Sequence, residues 1–119
     1  MASRIGGTLF VALNGTRLSV RGSWNIGFGR PKRDAVVGAD DVHGYKEMPQ
    51  APFIEGEATV TPDLDVRALL EARDATITAE LANGKTAVLR EGWQAGEGTM
   101  ATEEGTLPLR FEGLSCEYT

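Results

Sequence analysis

Apolar positions recur with a period of two along most of this chain, and with a helical period in one place. Residues 8–13 and 16–22 flank Asn14-Gly15, the pair best suited to a two-residue type I′ hairpin turn. The register that follows puts Leu9, Val11 and Leu13 on one face with Val20, Leu18 and Thr16. Thr8, Phe10 and Ala12 share the other face with Arg21, Ser19 and Arg17. One face is apolar and one polar, as in an antiparallel sheet that covers a core. Residues 23–28 alternate again, with Trp24, Ile26 and Phe28 on one side. Residues 34–37 and 58–60 are short strand candidates. Residues 76–82 and 85–93 flank a second Asn-Gly pair, Asn83-Gly84. The same two-residue turn there would group Ile77, Ala79 and Leu81 with Arg90, Val88 and Thr86, and Thr78 and Glu80 with Leu89 and Ala87. Both faces are then mixed, so one is expected to meet the core and the other a neighbouring subunit or a wet interior. Residues 106–112 make a last strand with Leu107, Leu109 and Phe111 inward. Pro108 cannot donate to a ladder, which argues for an edge or a bulge there. Residues 114–119 extend that strand or form a tail.

The helical period falls on Val66, Leu69 and Leu70. Thr61-Pro62 gives a start signal, with Thr61 as cap and Pro62 at the first helical position, and Asp65 is a second possible cap. Arg67 and Glu71 fall on the wet side at (i, i+4) spacing. The pattern predicts one short helix over about residues 64–73. The sum is about seven short strands and one helix: a mainly β chain, folded as an antiparallel sandwich or partly open barrel. At 119 residues it reads as one domain, 1–119, with a small-residue arm at 1–7.

Residues 38–57 fit neither period. Pro49, Pro52 and three glycines interrupt them, yet they carry Val42, Tyr45, Met48, Phe53 and Ile54. Most connections run about 4–6 residues, and structureless ones beyond roughly 12–15 are usually functional or disordered. Apolar surface of this kind wants burial, so the stretch is expected to be one long ordered loop that meets a partner.

Charge changes the picture more by its distribution than by its total. The net charge is −5 and the pI about 4.8, which argues against a DNA-gripping protein. Residues 1–37 hold six basic side chains and one acidic, while residues 38–119 hold six basic and sixteen acidic. Such asymmetry suits a subunit that associates head to tail, basic patch against acidic patch. Cys116 is the single cysteine, so no intramolecular disulfide can form. Residues 1–10 have no apolar signal core, and no stretch approaches the ~20 apolar residues of a membrane span. The expectation is a soluble chain, made in the cytoplasm, that binds no membrane.

Little in the chain carries chemistry. His43 is the single histidine, and there is no Gly-x-Ser-x-Gly elbow. His43 beside Asp41 reads as a hydrogen-bonding surface residue rather than a base with its orienting carboxylate. Asp40, Asp41 and His43, with Glu55 and Glu57 further on, match no spacing of a cation loop. The glycines around Phe28 and at 92–98 precede no Lys-Ser/Thr pair, so they are not phosphate cradles. The expectation is no enzyme, no cofactor and no metal.

Several blocks, taken together and in order, resemble the tail tube protein of Mu-like contractile-tailed bacteriophages. They are Asp41-Val42-His43-Gly44-Tyr45, Pro52-Phe53-Ile54-Glu55-Gly56, Glu80-Leu81-Ala82-Asn83-Gly84-Lys85-Thr86, Val88-Leu89-Arg90-Glu91, Trp93-Gln94-Ala95-Gly96 and Arg110-Phe111-Glu112-Gly113-Leu114-Ser115-Cys116-Glu117. The opening hairpin and Arg21-Gly22 are also similar to that family. The resemblance implies a β-sandwich of the tail tube type with one helix and one long stacking loop. It implies hexameric rings, stacked into a hollow tube inside a contractile sheath. The sheath protein, a tape measure protein and, transiently, double-stranded DNA in the lumen would be partners. The chain would then be part of the virion tail, assembled in the host bacterial cytoplasm. On this basis Asp41, His43, Tyr45, Pro52, Phe53, Ile54 and Glu55 are candidates for contact between rings, and Thr78 and Glu80 for the lumen or an inter-subunit strand. The tube of a bacteriocin or secretion apparatus is an alternative within the same class. A small-ligand-binding barrel using Trp24, Phe28 and Trp93 is an alternative from another.

Overall fold

The computed structural model describes residues 10–119, so the arm at 1–7, Thr8 and Leu9 lie outside the described residues. Ten strands and one helix follow in chain order. Strand β1 (Phe10–Leu13) and β2 (Thr16–Leu18) form the first hairpin. Its register is the one Asn14-Gly15 dictates, with Leu13 opposite Thr16 and Val11 opposite Leu18. Asn14 and Gly15 both take positive φ, +49° and +87°, as a type I′ turn requires. Val11 and Leu18 are buried, as the alternation predicts.

Strand β3 (Val20–Gly27) follows β2 across Ser19 and is kinked at Gly22, where its ladder shifts register. Strand β6 (Phe53–Thr59) pairs with it, and β9 (Thr106–Glu112) pairs with β6 over seven residues. On the other side β1 pairs with β7 (Ala75–Glu80), and β7 with β8 (Thr86–Gln94). The first half of β8 also carries β10 (Ser115–Tyr118), so residues 115–118 form a strand of their own and do not prolong β9. The far end of β8 bends at Glu91 (φ +52°) and pairs Trp93 and Gln94 with β9. One antiparallel sheet of eight strands therefore runs β2-β1-β7-β8-β9-β6-β3, with β10 branching from β8. Its two ends, β2 and β3, are consecutive in the chain, so the sheet curls back on itself around a core. Val11, Ile54, Ile77, Leu89, Leu107 and Phe111 fill that core completely shielded from solvent. Trp24 and Ile26 pack against it.

Pro108 sits in an interior strand, yet its ladder is open where it matters. The Arg110 carbonyl accepts the Ala95 N–H (2.7 Å). Residues 108 and 110 therefore turn their backbone groups toward β8, which pairs with β9 only at Phe111 and Glu112. No hydrogen bond is lost to the proline ring.

The second hairpin differs from the sequence expectation by one residue. Ile77 lies opposite Leu89, Ala79 opposite Ala87 and Glu80 opposite Thr86. The connection is a three-residue loop, closed by the Leu81 N–H to the Lys85 carbonyl (2.8 Å) and the Gly84 N–H to the Leu81 carbonyl (3.1 Å). Gly84 takes φ +86° and Asn83 Oδ1 accepts the Lys85 N–H (3.0 Å), the arrangement of a turn followed by a left-handed residue. A slip of one residue moves every side chain of a strand to the opposite face. The two mixed faces thereby separate: Ala75, Ile77, Ala79, Ala87 and Leu89 are all buried, while Thr78, Glu80, Thr86 and Val88 point away from the core.

Helix α1 spans Val66–Leu70, shorter than the expected 64–73. Asp65 is its cap and accepts the Ala68 N–H (3.1 Å). Thr61 is not the cap, because the Leu64 N–H already bonds the Thr61 carbonyl (3.0 Å) in a turn that precedes the helix. Leu69 is buried beneath it, and Arg67 and Glu71 face water 3.6 Å apart.

Strands β4 (Lys32–Val37) and β5 (Val42–Met48) pair with each other and make a second, two-stranded sheet. This arm leaves the body after β3 and returns to it at β6. Residues 38–57 are thus not one loop. They are the tip of an arm, its returning strand, a short link and a core strand of the body. Every residue of β5 is exposed, so no polarity alternates along it, and its strand character leaves no period-two signature. Pro49 and Pro52 lie in the link between β5 and β6 rather than inside either strand. The radius of gyration is 17.3 Å, against about 13.5 Å for a compact chain of this length, the excess a projecting arm produces.

Candidate assembly surface

The arm is a surface that nothing in the described chain covers. Its tip is built by the Gly38 N–H donating to the Asp41 carbonyl (2.9 Å) and the Val42 N–H to Asp41 Oδ1 (2.7 Å). His43 Nε2 lies 3.1 Å from Asp40 Oδ1, and this contact holds the Asp40 carboxyl below its ordinary range. Along the arm Arg33 donates to Glu47 (2.9 Å) and lies over the Tyr45 ring, 5.5 Å from its centre. Between these polar groups stand five exposed apolar side chains: Val36, Val37, Val42, Tyr45 and Met48, the most open being Val37 at 65%. A lone two-stranded hairpin is marginally stable in water. Apolar side chains gathered on one projection mark an interaction site.

The sequence-derived contact residues divide between two places. Asp41, His43 and Tyr45 are on the arm and exposed. Pro52, Phe53, Ile54 and Glu55 are on the body or at its junction with the arm, and all four are already occupied. Ile54 is fully buried in the core, so it is unavailable to a neighbour. It stands opposite Ile26 and Phe111 in the two ladders that flank β6. Phe53 points outward, but its ring lies over Gly27, where an added Cβ would come 2.2 Å from Phe53 Cε1. Arg110 covers the other side of that ring, 4.1 Å from its centre. Glu55 is ion-paired to Arg110, which also bonds Glu112 (3.2 Å). Burial alone would loosen the Arg110 proton, but its hydrogen bonds to the two carboxylates outweigh this and push its pKa up. Pro52 is buried at the root of the arm, against Gly29. Asp41 is committed to the Val42 N–H and Glu55 to Arg110. Among the described residues no group of three His, Cys, Asp or Glu side chains is placed to hold a metal.

Thr78 and Glu80 lie side by side on the outer face of β7, next to Phe10 and Ala12 of β1. Arg17 covers Phe10 at 4.4 Å. Thr78 is half-buried and Glu80 exposed.

Of the sequence-derived candidates, Pro52 and Phe28 meet in a cleft at the root of the arm, a grouping the sequence did not suggest. Phe28 and Tyr118 meet edge to face, 5.4 Å between ring centres, and Pro52, Leu81 and Leu114 complete its apolar lining. Leu114 is 69% exposed, and Arg30 stands on the rim. Its parts come from four separate segments, so only the exposure of Leu114 beside Gly113 could have hinted at it.

A sequence profile of the phage tail tube protein family matches residues 2–118. The chain belongs to the phage tail tube protein family. It is 25% identical over 117 residues to the Mu-like prophage FluMu tail tube protein of Haemophilus influenzae (strain ATCC 51907 / DSM 11121 / KW20 / Rd), covering 98% of both chains. Its fold is similar to the tube-terminating cap of the anti-feeding prophage, with a TM-score of 0.67 at 12% identity over 100% of this chain and 93% of that one. It is also similar to a chain of the sheath–tube complex of the PVC extracellular contractile injection system in its extended state, with a TM-score of 0.59 at 11% identity, covering 93% and 87%. The tail tube protein is a structural component of the phage tail, of the Mu-like type, and not an enzyme. The mainly antiparallel β fold with one short helix, expected from the sequence, is the fold these neighbours share. No helix among the described residues is long and apolar enough to cross a membrane.

Proposed function

We propose that this tail tube protein forms hexameric rings that stack into a hollow tube inside a contractile sheath, and that the genome passes through the lumen. The observation that carries this reading is the exposed arm. Its strands have no covering layer, and its Val37, Val42 and Tyr45 find one only against another copy. Asp41 and His43 at the tip then become polar contacts beside those apolar anchors. Phe53 and Ile54 stabilise the body from which the arm projects. Open sheet edges at β2 and β10 would be closed by neighbours in the ring, which removes the hazard of exposed edges. Thr78 and Glu80 lie on the face proposed to line the lumen. A lumen of this composition would let DNA slide, whereas basic walls would hold phosphates by counterion release. The sheath surrounds the tube and a tape measure protein fills it before ejection.

Sedimentation of the purified chain over a range of concentrations tests the assembly. The expected result is a cooperative passage from monomer to rings and larger particles. A single monomeric species at every concentration and salt would contradict it. A contractile injection device that carries no genome is the second reading, favoured by the fold it shares with such systems. Packaged DNA in the particles that contain this chain would decide against it.

A further inference from the structure

The two ends of the body differ in charge in a way that the overall sequence asymmetry only outlines. Strand β6 runs from Phe53 at the arm's root to Thr59, about 20 Å away. At the root end stand Arg30, Lys32 and Arg33; Arg33 is spent on Glu47 (2.9 Å) and Lys32 lies 4.0 Å from Asp34, so Arg30, with the loosely held Lys32, carries the positive charge offered there. Arg30 borders the apolar cleft of Phe28, Leu114 and Tyr118, and Lys32 follows it two residues on. At the far end two turns meet through the Val60 N–H and the Gly105 carbonyl (2.8 Å). Residues 61–65 and 99–105 contribute Asp63, Asp65, Glu103 and Glu104 there, and no basic side chain. Arg21 does reach that turn, but it is spent on Thr59 Oγ1 (3.1 Å) and the Gly105 carbonyl (3.3 Å). Met100, 37% exposed, projects beside the acidic turn.

From this we infer that the cleft at the arm's root receives the far end of a second copy of this chain, with Met100 entering among Phe28, Leu114 and Tyr118 and Glu103 and Glu104 meeting Arg30 and Lys32. The contact deepens the tube reading and rests on it. Both halves lie on one molecule, at opposite ends of the same strand, so the contact is heterologous and adds copies end to end along that strand's direction. That is the geometry of stacking along an axis. It also fixes polarity, because two basic roots or two acidic ends placed together would repel. With its root seated in this way, the arm lies along the flank of the next copy, where its apolar side chains are covered.

Two full-length variants test it, Arg30→Glu/Lys32→Glu and Glu103→Lys/Glu104→Lys. All four side chains are exposed, so each variant should melt as the wild type does. Alone, each should assemble at least tenfold less well at low salt, because like charges then meet at every junction. Mixed in equal amounts they should assemble again, since the reversed root of one matches the reversed end of the other. Single variants that assemble like the wild type, or a mixture no better than its parts, would overturn the contact while leaving the tube intact. A wild-type chain that never assembles under the same conditions would overturn the tube reading and the contact together.

Discussion

Ile54→Asp is expected to unfold the body, at a cost of about 5 kcal/mol or more. Ile54 is fully shielded from solvent at the centre of β6, between Ile26 and Phe111. Its replacement forfeits about 1.5–3 kcal/mol of apolar burial. A carboxyl placed there without a partner adds several kcal/mol through desolvation, whether it ionises or takes up a proton. Against a typical total stability of about 5–15 kcal/mol, that is a large share of the fold. Circular dichroism and urea titration will measure it: the variant should be unfolded, or melt far below the wild type. A variant with the wild-type midpoint would show that β6 is not a core strand. The position draws a line between the body and the arm, although both lie inside one stretch of sequence without a clear period.

The second large effect lies on the other side of that line. Val37→Asp, Val42→Asp and Tyr45→Asp, combined, should leave the melting midpoint nearly unchanged and abolish assembly. The three positions are 65%, 61% and 63% exposed, and exposed substitutions usually move stability within about ±0.5 kcal/mol. In a stacked contact the same changes remove apolar anchors and add three charges to be desolvated. The expected penalty is about 3 kcal/mol or more per arm, over a hundredfold in the concentration needed for assembly. Sedimentation beside thermal melting separates the two readouts. Assembly at the wild-type concentration would remove the arm from the contact.

What was legible in the sequence follows the physics of each segment. The first hairpin was readable because Asn14-Gly15 fixes a two-residue turn and the alternation beside it agrees. Leu107, Leu109 and Phe111 were readable because every second residue of β9 is apolar. The second Asn-Gly pair misled because the same dipeptide also fits a three-residue loop with Gly84 left-handed. The signal that decides it was present: only the register pairing Ile77 with Leu89 separates apolar from polar faces. The arm was recognised as a surface wanting burial but not as a strand pair. A hairpin exposed on both faces has no reason to alternate, and alternation is what reveals a strand. Phe53 and Ile54 were placed together because neighbouring apolar residues hide which of them points inward. The ladder answers that, Ile54 inward and Phe53 out beneath Arg110. The cleft of Phe28, Leu114 and Tyr118 was out of reach, since its lining exists only once Phe28, just past β3, meets Tyr118 of β10.

Electron microscopy of the purified full-length chain is the most direct test of the central claim. The account predicts six-fold rings with a central hole, stacked into tubes, with the β4–β5 arm of each subunit packed against a subunit of the adjoining ring. Particles that remain compact monomers, or rings in which the arm hangs free in solvent, would contradict it.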